Sequence, residues 1–324
     1  MLLNSADLDR FERDGYLLVR ELLLWDEDLQ PVLAEYEDVL DQLLERWHQE
    51  GRLASTYPGL PFGERLTKAV AETRAPYCLD FDISLPQADL SESTPMHLGP
   101  AVFGLLRSPR LLDVVEQFVG PEIYSNPVQH TRIKLPEAEL PTEAWTGLSG
   151  PIALHQDLGV ISDEADDTEM LTVWFPVTES TLENGCLAVV PGSHRRGLAL
   201  HCRSGDPRTL NQVCIPDKVD MGEQVPLEMH PGDVLFMHRK TCHAGLPNRG
   251  RTIRWSFDLR YHPIGQPTGR PWFPGFVARS QAHPETELHD AGAWADSWRA
   301  AHHALAQGDD VAFNRWSQDD PRCA

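Results

Sequence analysis

The chain has 324 residues, of which 41% are hydrophobic and 24% are charged, as is usual for a globular protein. Its formal net charge of −21 makes nucleic acid and anionic membrane surfaces poor partners. This length allows one large domain or two small ones, and either would bury a sizeable core.

The N-terminal third of the sequence is predicted to be mainly helical. A first helix is expected over residues 5–15, with Ser5 as its N-cap, and the apolar run YLLVREL follows as a short strand. Over residues 26–49, hydrophobic residues recur every three or four positions, as in an amphipathic helix. Residues 51–100 read as irregular, and one short helix is expected over residues 101–118.

The middle of the chain, from residue 120 to Pro263, has the pattern of a β-rich core. Short apolar runs such as MLTVWFPVTEST, VPLEMHPGDVLFMH and TIRWSFDLRYH alternate with clusters of Gly, Pro, Asn and Asp. Such a series of short strands and turns predicts an all-β sandwich, jelly roll or barrel. Beyond Pro263 the chain is rich in Pro and Gly, then polar, and it is expected to form a helix near residues 291–307.

The cysteines and the N-terminal stretch predict a cytoplasmic protein. The N-terminal residues carry charges throughout, unlike a secretory signal, and no apolar run reaches membrane-spanning length. Six cysteines are scattered without a Cys-x-x-Cys pair: Cys78, Cys186, Cys202, Cys214, Cys242 and Cys323. We therefore expect reduced thiols, and neither a disulfide framework nor a zinc ion held by cysteines.

One pair of residues has the spacing of metal ligands. Triplets of His, any residue and an acid occur as HQE at 48–50, HQD at 155–157 and HPE at 283–285. The first lies at a helix end, where side chains two apart diverge, and the third contains a proline that a paired strand excludes. In a strand, His155 and Asp157 would point to the same side. They are predicted to supply two of the three ligands of an iron site of the two-histidine, one-carboxylate type.

The third ligand of such a site should be a distant histidine. The downstream candidates are His194, His201, His230, His238, His243 and His262. His243 is preferred because it follows the strand-like run GDVLFMH and opens the segment HAGLPNRG. His238 is the rival, and His194, in PGSHRRG, is expected to lie in a turn.

Arg254 and Ser256 share one face of the predicted strand TIRWSFDLRYH, and its apolar residues face the other way. Burying a guanidinium inside a barrel is unfavourable unless it meets an anion. A planar guanidinium group beside a hydroxyl is suited to bind the distal carboxylate of a dicarboxylate cosubstrate through two hydrogen bonds. The alternative is an arginine on an exposed strand face.

Several segments of the chain occur in the order that one enzyme family shows. They are FERDGYLLVRELL, LHQD, WFPVTESTLENGCLAVVPGSH, PGDVLFMH and the eleven-residue step from His243 to Arg254. With them, the chain resembles the phytanoyl-CoA dioxygenase family of Fe(II)/2-oxoglutarate-dependent oxygenases. The resemblance implies a mainly β fold, a double-stranded β-helix or jelly roll with flanking N-terminal and C-terminal helices. It also implies a single oxygenase domain over 1–324, with a helical part (1–119), a jelly-roll core (120–263) and a covering segment with a helix (264–324).

The resemblance also implies roles for particular residues. The implied iron ligands are His155, Asp157 and His243, and no further catalytic residue is expected. Arg254 would hold the distal carboxylate of 2-oxoglutarate, with Ser256 as a helper. Trp174 would border the cosubstrate, although a position in the core is the alternative. Because relatives that halogenate lack the carboxylate ligand, the presence of Asp157 favours hydroxylation, or another C–H oxidation, with release of succinate and CO2.

The substrate is expected to be a small organic molecule that reacts with O2. Gln129 and Lys134 are further candidates for the pocket, and residues 51–100 are expected to cover the barrel mouth. Three aromatic residues after Pro263 are expected to do the same or to pack against the C-terminal helix: Trp272, Phe273 and Phe276. Two other functions remain open, a metal-dependent hydrolase and a non-catalytic protein that binds small molecules on the same barrel.

Overall fold

The helices of the protein lie before and after a β-rich middle. The computed structural model describes residues 2–87, 89–209, 212–308, 311, 315–316 and 320–323. Within these ranges the α-helices are α1 (Ser5–Asp14), α2 (Gln30–Gln49), α3 (Phe62–Thr73), α4 (Cys78–Phe81), α5 (Pro100–Leu106), α6 (Pro109–Val119) and α7 (Ala291–Gln307).

Three details of the helical part differ from expectation. Asn4, not Ser5, caps α1, because its side chain accepts the N–H of Asp7 at 3.0 Å while Asp7 accepts the N–H of Asn4 at 3.1 Å. The helix expected over 101–118 is divided into α5 and α6, since Pro109 starts a new helix instead of continuing the old one. The segment 51–100 is not irregular throughout, because it contains α3 and α4.

The strands form two main sheets. They are β1 (Tyr16–Val19), β2 (Glu122–Lys134), β3 (Ile152–His155), β4 (Leu171–Pro176), β5 (Leu187–Val189), β6 (Cys202–Arg203), β7 (Val213–Cys214), β8 (Val225–Leu227), β9 (Val234–His238), β10 (His243–Gly245), β11 (Arg254–Pro263) and β12 (Phe276–Ser280). The larger sheet has the order β1-β9-β4-β11-β2-β12, and the smaller has the order β3-β10-β5-β8. The described strand pairs are antiparallel, and the two sheets form the expected jelly roll.

Strand β11 shows how the sequence separates the inside of the jelly roll from its outside. Trp255, Phe257 and Leu259 are buried in the main hydrophobic core, which the N-terminal helices cover. Their neighbours alternate with them and are polar but also buried, because they face the interior of the roll: Arg254, Ser256, Asp258 and Arg260. A buried row of polar side chains therefore lies inside the barrel, where the functional site is found.

Helix α2 packs against the outer face of the large sheet. Its fully buried Tyr36 places its ring 5.0 Å from that of Trp255 and 6.2 Å from that of Phe257. The Tyr36 hydroxyl donates to the Phe81 carbonyl at 2.9 Å and lies 3.0 Å from the Thr131 hydroxyl, so its polar atom is satisfied in the core. This packing fixes β11 from behind and holds its interior face in place.

The aromatic residues after Pro263 serve the core and not the barrel mouth. The Phe273 ring lies 5.3 Å from that of Trp298 on α7, and the Phe276 ring lies 5.3 Å from that of Phe103 on α5. Trp272 is partly buried against the same core. None of the three is among the residues that line the cavity, and the alternative, packing against the C-terminal helix, is confirmed for Phe273.

A disulfide joins Cys202 of β6 to Cys323 near the C-terminus, and their Cα atoms lie 5.6 Å apart. The expectation of reduced thiols throughout is therefore wrong for this pair, because the fold brings together two cysteines that 121 positions separate in the sequence. The other four cysteines are free and buried: Cys78, Cys186, Cys214 and Cys242. No described helix is both long and apolar enough to span a membrane.

Candidate metal centre

Three side chains from separate parts of the chain meet at one end of the jelly-roll interior. His155, Asp157 and His243 each offer a ligand atom, and these atoms all lie within 4.8 Å of one another. The Nε2 atoms of His155 and His243 lie 3.9 Å and 4.0 Å from Oδ1 of Asp157. The three residues that the sequence predicted as ligands are therefore brought together. Within the described residues this is the one cluster of three or more such groups that could hold a metal ion.

The two histidines present a lone pair to the centre of this cluster. Nδ1 of His155 lies 2.9 Å from the carbonyl of Ala153, and Nδ1 of His243 lies 3.0 Å from the carbonyl of Thr241. A carbonyl can only accept a hydrogen bond, so Nδ1 carries the proton and Nε2 is left free to bind a metal. Burial, together with the nearby His243, lowers the pKa of His155 to about 3 and keeps this imidazole neutral.

Asp157 is held by two neighbours on the large sheet. The Thr172 hydroxyl donates to its Oδ2, and the Arg260 guanidinium donates to its Oδ1. Burial alone would raise the pKa of Asp157, but the positive charge of Arg260 and the hydrogen bond from Thr172 hold it well below its usual range. The carboxylate is therefore ionised and fixed in orientation, as a metal ligand requires.

The local backbone differs from the strand that the sequence predicted. Strand β3 ends at His155, and Asp157 begins a 3-10 turn that extends to Val160. Gln156 anchors this transition, because its backbone N–H donates to Nε2 of His201 at 3.0 Å and its side-chain amide donates to the Lys240 carbonyl at 2.7 Å. The two ligands converge through this anchored turn and not through the alternation of a continuous strand.

The rival histidines lie outside the cluster. Nδ1 of His238 accepts the N–H of Lys240 at 3.0 Å, and its ring packs 5.2 Å from that of His194. Nε2 of His201 is already used by Gln156. Among the predicted candidates, His243 is thus the histidine that the structure places beside His155 and Asp157.

Arg254 lies on the same interior face and is 1% exposed. Its Nε donates to the Gly185 carbonyl at 3.2 Å, its Nη1 donates to the Ser256 hydroxyl, and the guanidinium carbon lies 5.6 Å above the ring of Trp174. No carboxylate of a described residue forms an ion pair with it, and burial, with the charge of Arg132, lowers the pKa of Arg254 to about 9. Arg254 is a buried cation with the remaining N–H groups of its fork available to an anion.

Gly185 makes room for this arrangement. It has a φ of 90°, and a Cβ atom there would lie 2.5 Å from the Leu246 carbonyl oxygen. Only glycine is suited to such a left-handed and crowded position. Its carbonyl is thereby directed at Arg254, which gives the segment ENG of the sequence a structural role beside the site.

A cavity of about 930 Å³ connects these groups. His155, His243, Trp174 and Arg254 line it, and so do residues of the segment 51–100 such as Pro86. That volume lies in the range of pockets for small organic ligands. The expectation that the segment 51–100 contributes to the mouth of the barrel agrees with this lining.

Two residues that were predicted for the pocket do not line the cavity, and four residues that were not predicted do. Gln129 and Lys134 are buried but donate to backbone carbonyls, of Ile83 at 2.9 Å and of Leu246 at 2.8 Å, and neither belongs to the lining of the cavity. Residues that sequence reasoning missed do line it: Arg132, Asp258, Arg260 and Arg270. The alternation that identified Arg254 and Ser256 continues to Asp258 and Arg260 and could have identified them.

Comparison with known proteins agrees with this geometry. The family model for phytanoyl-CoA dioxygenase (PhyH) matches residues 11–256. The human peroxisomal phytanoyl-CoA dioxygenase is 24% identical over 255 residues, a match that covers 78% of this chain and 66%, just under two thirds, of the human protein. A 1-deoxypentalenic acid 11-beta-hydroxylase of Streptomyces arenae is 31% identical over 130 residues, covering 37% of this chain and 45% of that enzyme.

Solved structures share the fold. The non-heme monooxygenase ThoJ superposes with a TM-score of 0.57 at 18% identity, over 90% of this chain and 93% of its own. The epimerase SnoN, in a complex with Fe3+, alpha ketoglutarate and nogalamycin RO, gives a TM-score of 0.51 at 19% identity, over 82% of this chain and 86% of its own. The jelly roll is thus shared with both, and by the family model the protein belongs to the phytanoyl-CoA dioxygenase family.

Proposed function

We propose that the protein is an Fe(II)- and 2-oxoglutarate-dependent dioxygenase. It hydroxylates a small organic substrate, or otherwise oxidises one of its C–H bonds, and releases succinate and CO2. The observation that carries the proposal is the meeting of His155, Asp157 and His243 at a cavity that is also lined by Arg254, which has no ion pair with a described residue. Membership of the family supports the same reading.

The donor set fits iron. Two neutral imidazoles and one carboxylate form the ligand set of non-haem Fe(II) oxygenases, which leaves coordination positions open for other molecules. His155 and His243 would bind through Nε2, because their Nδ1 atoms are engaged by backbone carbonyls. Thr172 and Arg260 would keep the Asp157 carboxylate in position, as supporting residues around metal sites commonly do.

The anion-binding end of the cavity fits 2-oxoglutarate. We assign its distal carboxylate to Arg254, whose fork is directed by the Gly185 carbonyl and by Ser256. The indole of Trp174, in contact with the guanidinium, limits the positions that this fork can adopt. A bidentate contact between guanidinium and carboxylate would offset the unfavourable burial of Arg254.

The protein supplies orientation and exclusion of water. Iron(II) with 2-oxoglutarate and O2 supplies the oxidising power that breaks a C–H bond. The walls of the cavity hold the substrate near the three ligands and keep bulk water away from them. The cavity volume of about 930 Å³ is sufficient for a small organic substrate.

The proposal also covers partners and location. The expected partners are the small-molecule substrate and O2, and no nucleic acid, which agrees with the net charge of −21. We keep the cytoplasm as the proposed location because four buried cysteines are free, although the Cys202–Cys323 disulfide is typical of more oxidising compartments. Cell fractionation tests the location, and alkylation of free thiols tests which cysteines are free and which are joined in the disulfide.

Succinate formation is the direct test of the proposed function. Metal-free protein is supplied with Fe(II), 2-oxoglutarate and O2, and succinate is measured over time. The wild-type protein should form succinate slowly even without substrate, and Asp157→Ala should form it at least about 100-fold more slowly. Asp163→Ala is the matched control, because this exposed aspartate lies six positions further along the same loop. Equal rates for wild type and Asp157→Ala would contradict the proposed function.

A further inference from the structure

A second arginine inside the barrel has no counterpart in the proposed iron and cosubstrate sites. Arg132 lies on β2 directly across from Ser256 on β11, so it belongs to the interior face and lines the same cavity. Its Nη1 atom is buried and has no hydrogen-bond partner. Arg132 is partly buried and forms no ion pair with a described residue, so its charge is not matched within the described part of the protein.

Two of the acids that line the cavity contact partners other than Arg132. Asp82 pairs with His130 at 2.9 Å and also accepts the backbone N–H of Thr131 at 2.9 Å. Asp258 pairs with Arg260 at 3.3 Å. The buried Oδ1 of Asp258 has no hydrogen-bond partner, but no carboxylate of a described residue forms an ion pair with Arg132, so this guanidinium is open to an external anion.

The distal carboxylate of 2-oxoglutarate carries one negative charge, which is fewer than the two positive charges of Arg132 and Arg254. The positive charge of Arg132 contributes to the lowered pKa of Arg254, so the two guanidinium groups are near enough to repel each other. In the proposed function, the distal carboxylate of 2-oxoglutarate satisfies Arg254, and its other end faces the metal ligands. Arg132 would still be left with an unmatched charge.

Arg132 also has neighbours on elements other than the strands that carry Arg254 and Trp174. It is near Cys78, whose thiol lies 3.6 Å from the Thr146 hydroxyl, and both of these residues line the cavity. They belong to α4 and to the loop before β3, whereas Arg254 lies against Trp174 of β4. The neighbouring wall includes apolar residues such as Leu148, which suit a carbon skeleton.

We propose that Arg132 binds an anionic group of the substrate, a carboxylate in the simplest case, so that the enzyme acts on an organic acid. This inference rests on the proposed function, since it assigns the cavity that 2-oxoglutarate leaves free. A carboxylate on Arg132 would hold the rest of the molecule between β2 and the metal ligands. Arg132 is then a residue that determines substrate specificity and not an additional ligand of the cosubstrate.

The test compares an acid with its neutral analogue. Protein loaded with Fe(II) under argon and saturated with 2-oxoglutarate is titrated by calorimetry with 1-naphthoate and, separately, with 1-naphthamide. The wild-type protein should bind the acid at least about tenfold more tightly than the amide. Equal affinities, or no measurable binding of either compound, overturn the proposal without requiring any variant.

Variants then locate the anion. Arg132→Gln should weaken binding of 1-naphthoate about 10- to 100-fold and change binding of 1-naphthamide less than about twofold. Arg132→Lys, which keeps the charge but loses the fork, should lie between wild type and Arg132→Gln. The matched control is Arg52→Gln, because Arg52 also lines the cavity but pairs with Glu50 at the surface, at 3.1 Å.

Two results separate this inference from the proposed function. If 1-naphthoate binds only in competition with 2-oxoglutarate, or if Arg132→Gln weakens 2-oxoglutarate binding instead, Arg132 belongs to the cosubstrate site and the inference is wrong. If the wild-type protein forms no succinate in the presence of Fe(II) while the preference for the acid persists, the proposed function fails and the anion site stands by itself.

Discussion

Replacing Arg254 by methionine should stabilise the ligand-free protein while removing its response to 2-oxoglutarate. Arg254 is 1% exposed and has no carboxylate partner among the described residues. Burial lowers its pKa from 12.5 to about 9, which corresponds to roughly 4–5 kcal/mol against the charged form. Methionine fills a similar volume without the charge, but it cannot form the hydrogen bonds that Arg254 donates to Gly185 and Ser256. We therefore expect a net stabilisation of about 1–3 kcal/mol.

Urea unfolding of the metal-free proteins measures this difference. A matched control on the same strand is Arg260→Met, because Arg260 is paired with Asp157 and Asp258. Removing that partner leaves buried carboxylates uncompensated, so Arg260→Met should destabilise the protein by about 3–5 kcal/mol. The same substitution, six positions apart, is thus expected to act in opposite directions.

The second part of this prediction concerns the stabilisation of the protein by 2-oxoglutarate. With Fe(II) present and 2-oxoglutarate at 100 times its dissociation constant, the wild-type protein should gain about 2.7 kcal/mol. Arg254→Met should show almost none of this gain at the same concentration. A destabilisation of Arg254→Met as large as that of Arg260→Met would refute the reasoning, since Arg254 would then be satisfied without an anion.

Three further predictions concern the surroundings of the site. Thr172→Val removes the hydroxyl that bonds Asp157 and should weaken Fe(II) binding about 10- to 100-fold, measured by anaerobic titration against the distant Thr67→Val as control. Burial lowers the pKa of His201, His238 and His262 from 6.5 to about 4, so the folded state binds fewer protons than the unfolded chain at intermediate pH. The free energy of unfolding should therefore fall as the pH drops from about 6.5 to 4, and a urea midpoint that stays constant over this range would contradict the prediction. Cys202→Ser, which opens the disulfide to Cys323, should lower the free energy of unfolding by about 2–4 kcal/mol, and an unchanged value would mean that this link does not hold the C-terminal segment.

Much of the site could be predicted from the sequence because strands impose a simple alternation. The period of two on TIRWSFDLRYH placed Arg254 and Ser256 on one face, and the structure extends the same face to Asp258 and Arg260. The convergence of His155 and Asp157 was predicted for a continuous strand, whereas the strand ends at His155 and a turn carries Asp157. The residue types were informative even where the local conformation differed.

Other features depend on long-range packing that spacing does not reveal. Thr172 and Arg260 reach Asp157 from strands of the other sheet, 15 and 103 positions away. The Cys202–Cys323 disulfide joins residues that 121 positions separate, so the scatter of the cysteines suggested no pair. The proposed division into helical, jelly-roll and covering parts stays a prediction, although the helices and strands are distributed in that order along the chain.

An anaerobic crystal structure with Fe(II) and 2-oxoglutarate tests the central claim most directly. The account predicts one iron ion bound by Nε2 of His155, Nε2 of His243 and a carboxylate oxygen of Asp157, with the distal carboxylate of 2-oxoglutarate on Arg254. Iron bound at other residues, or 2-oxoglutarate bound away from Arg254, would contradict it.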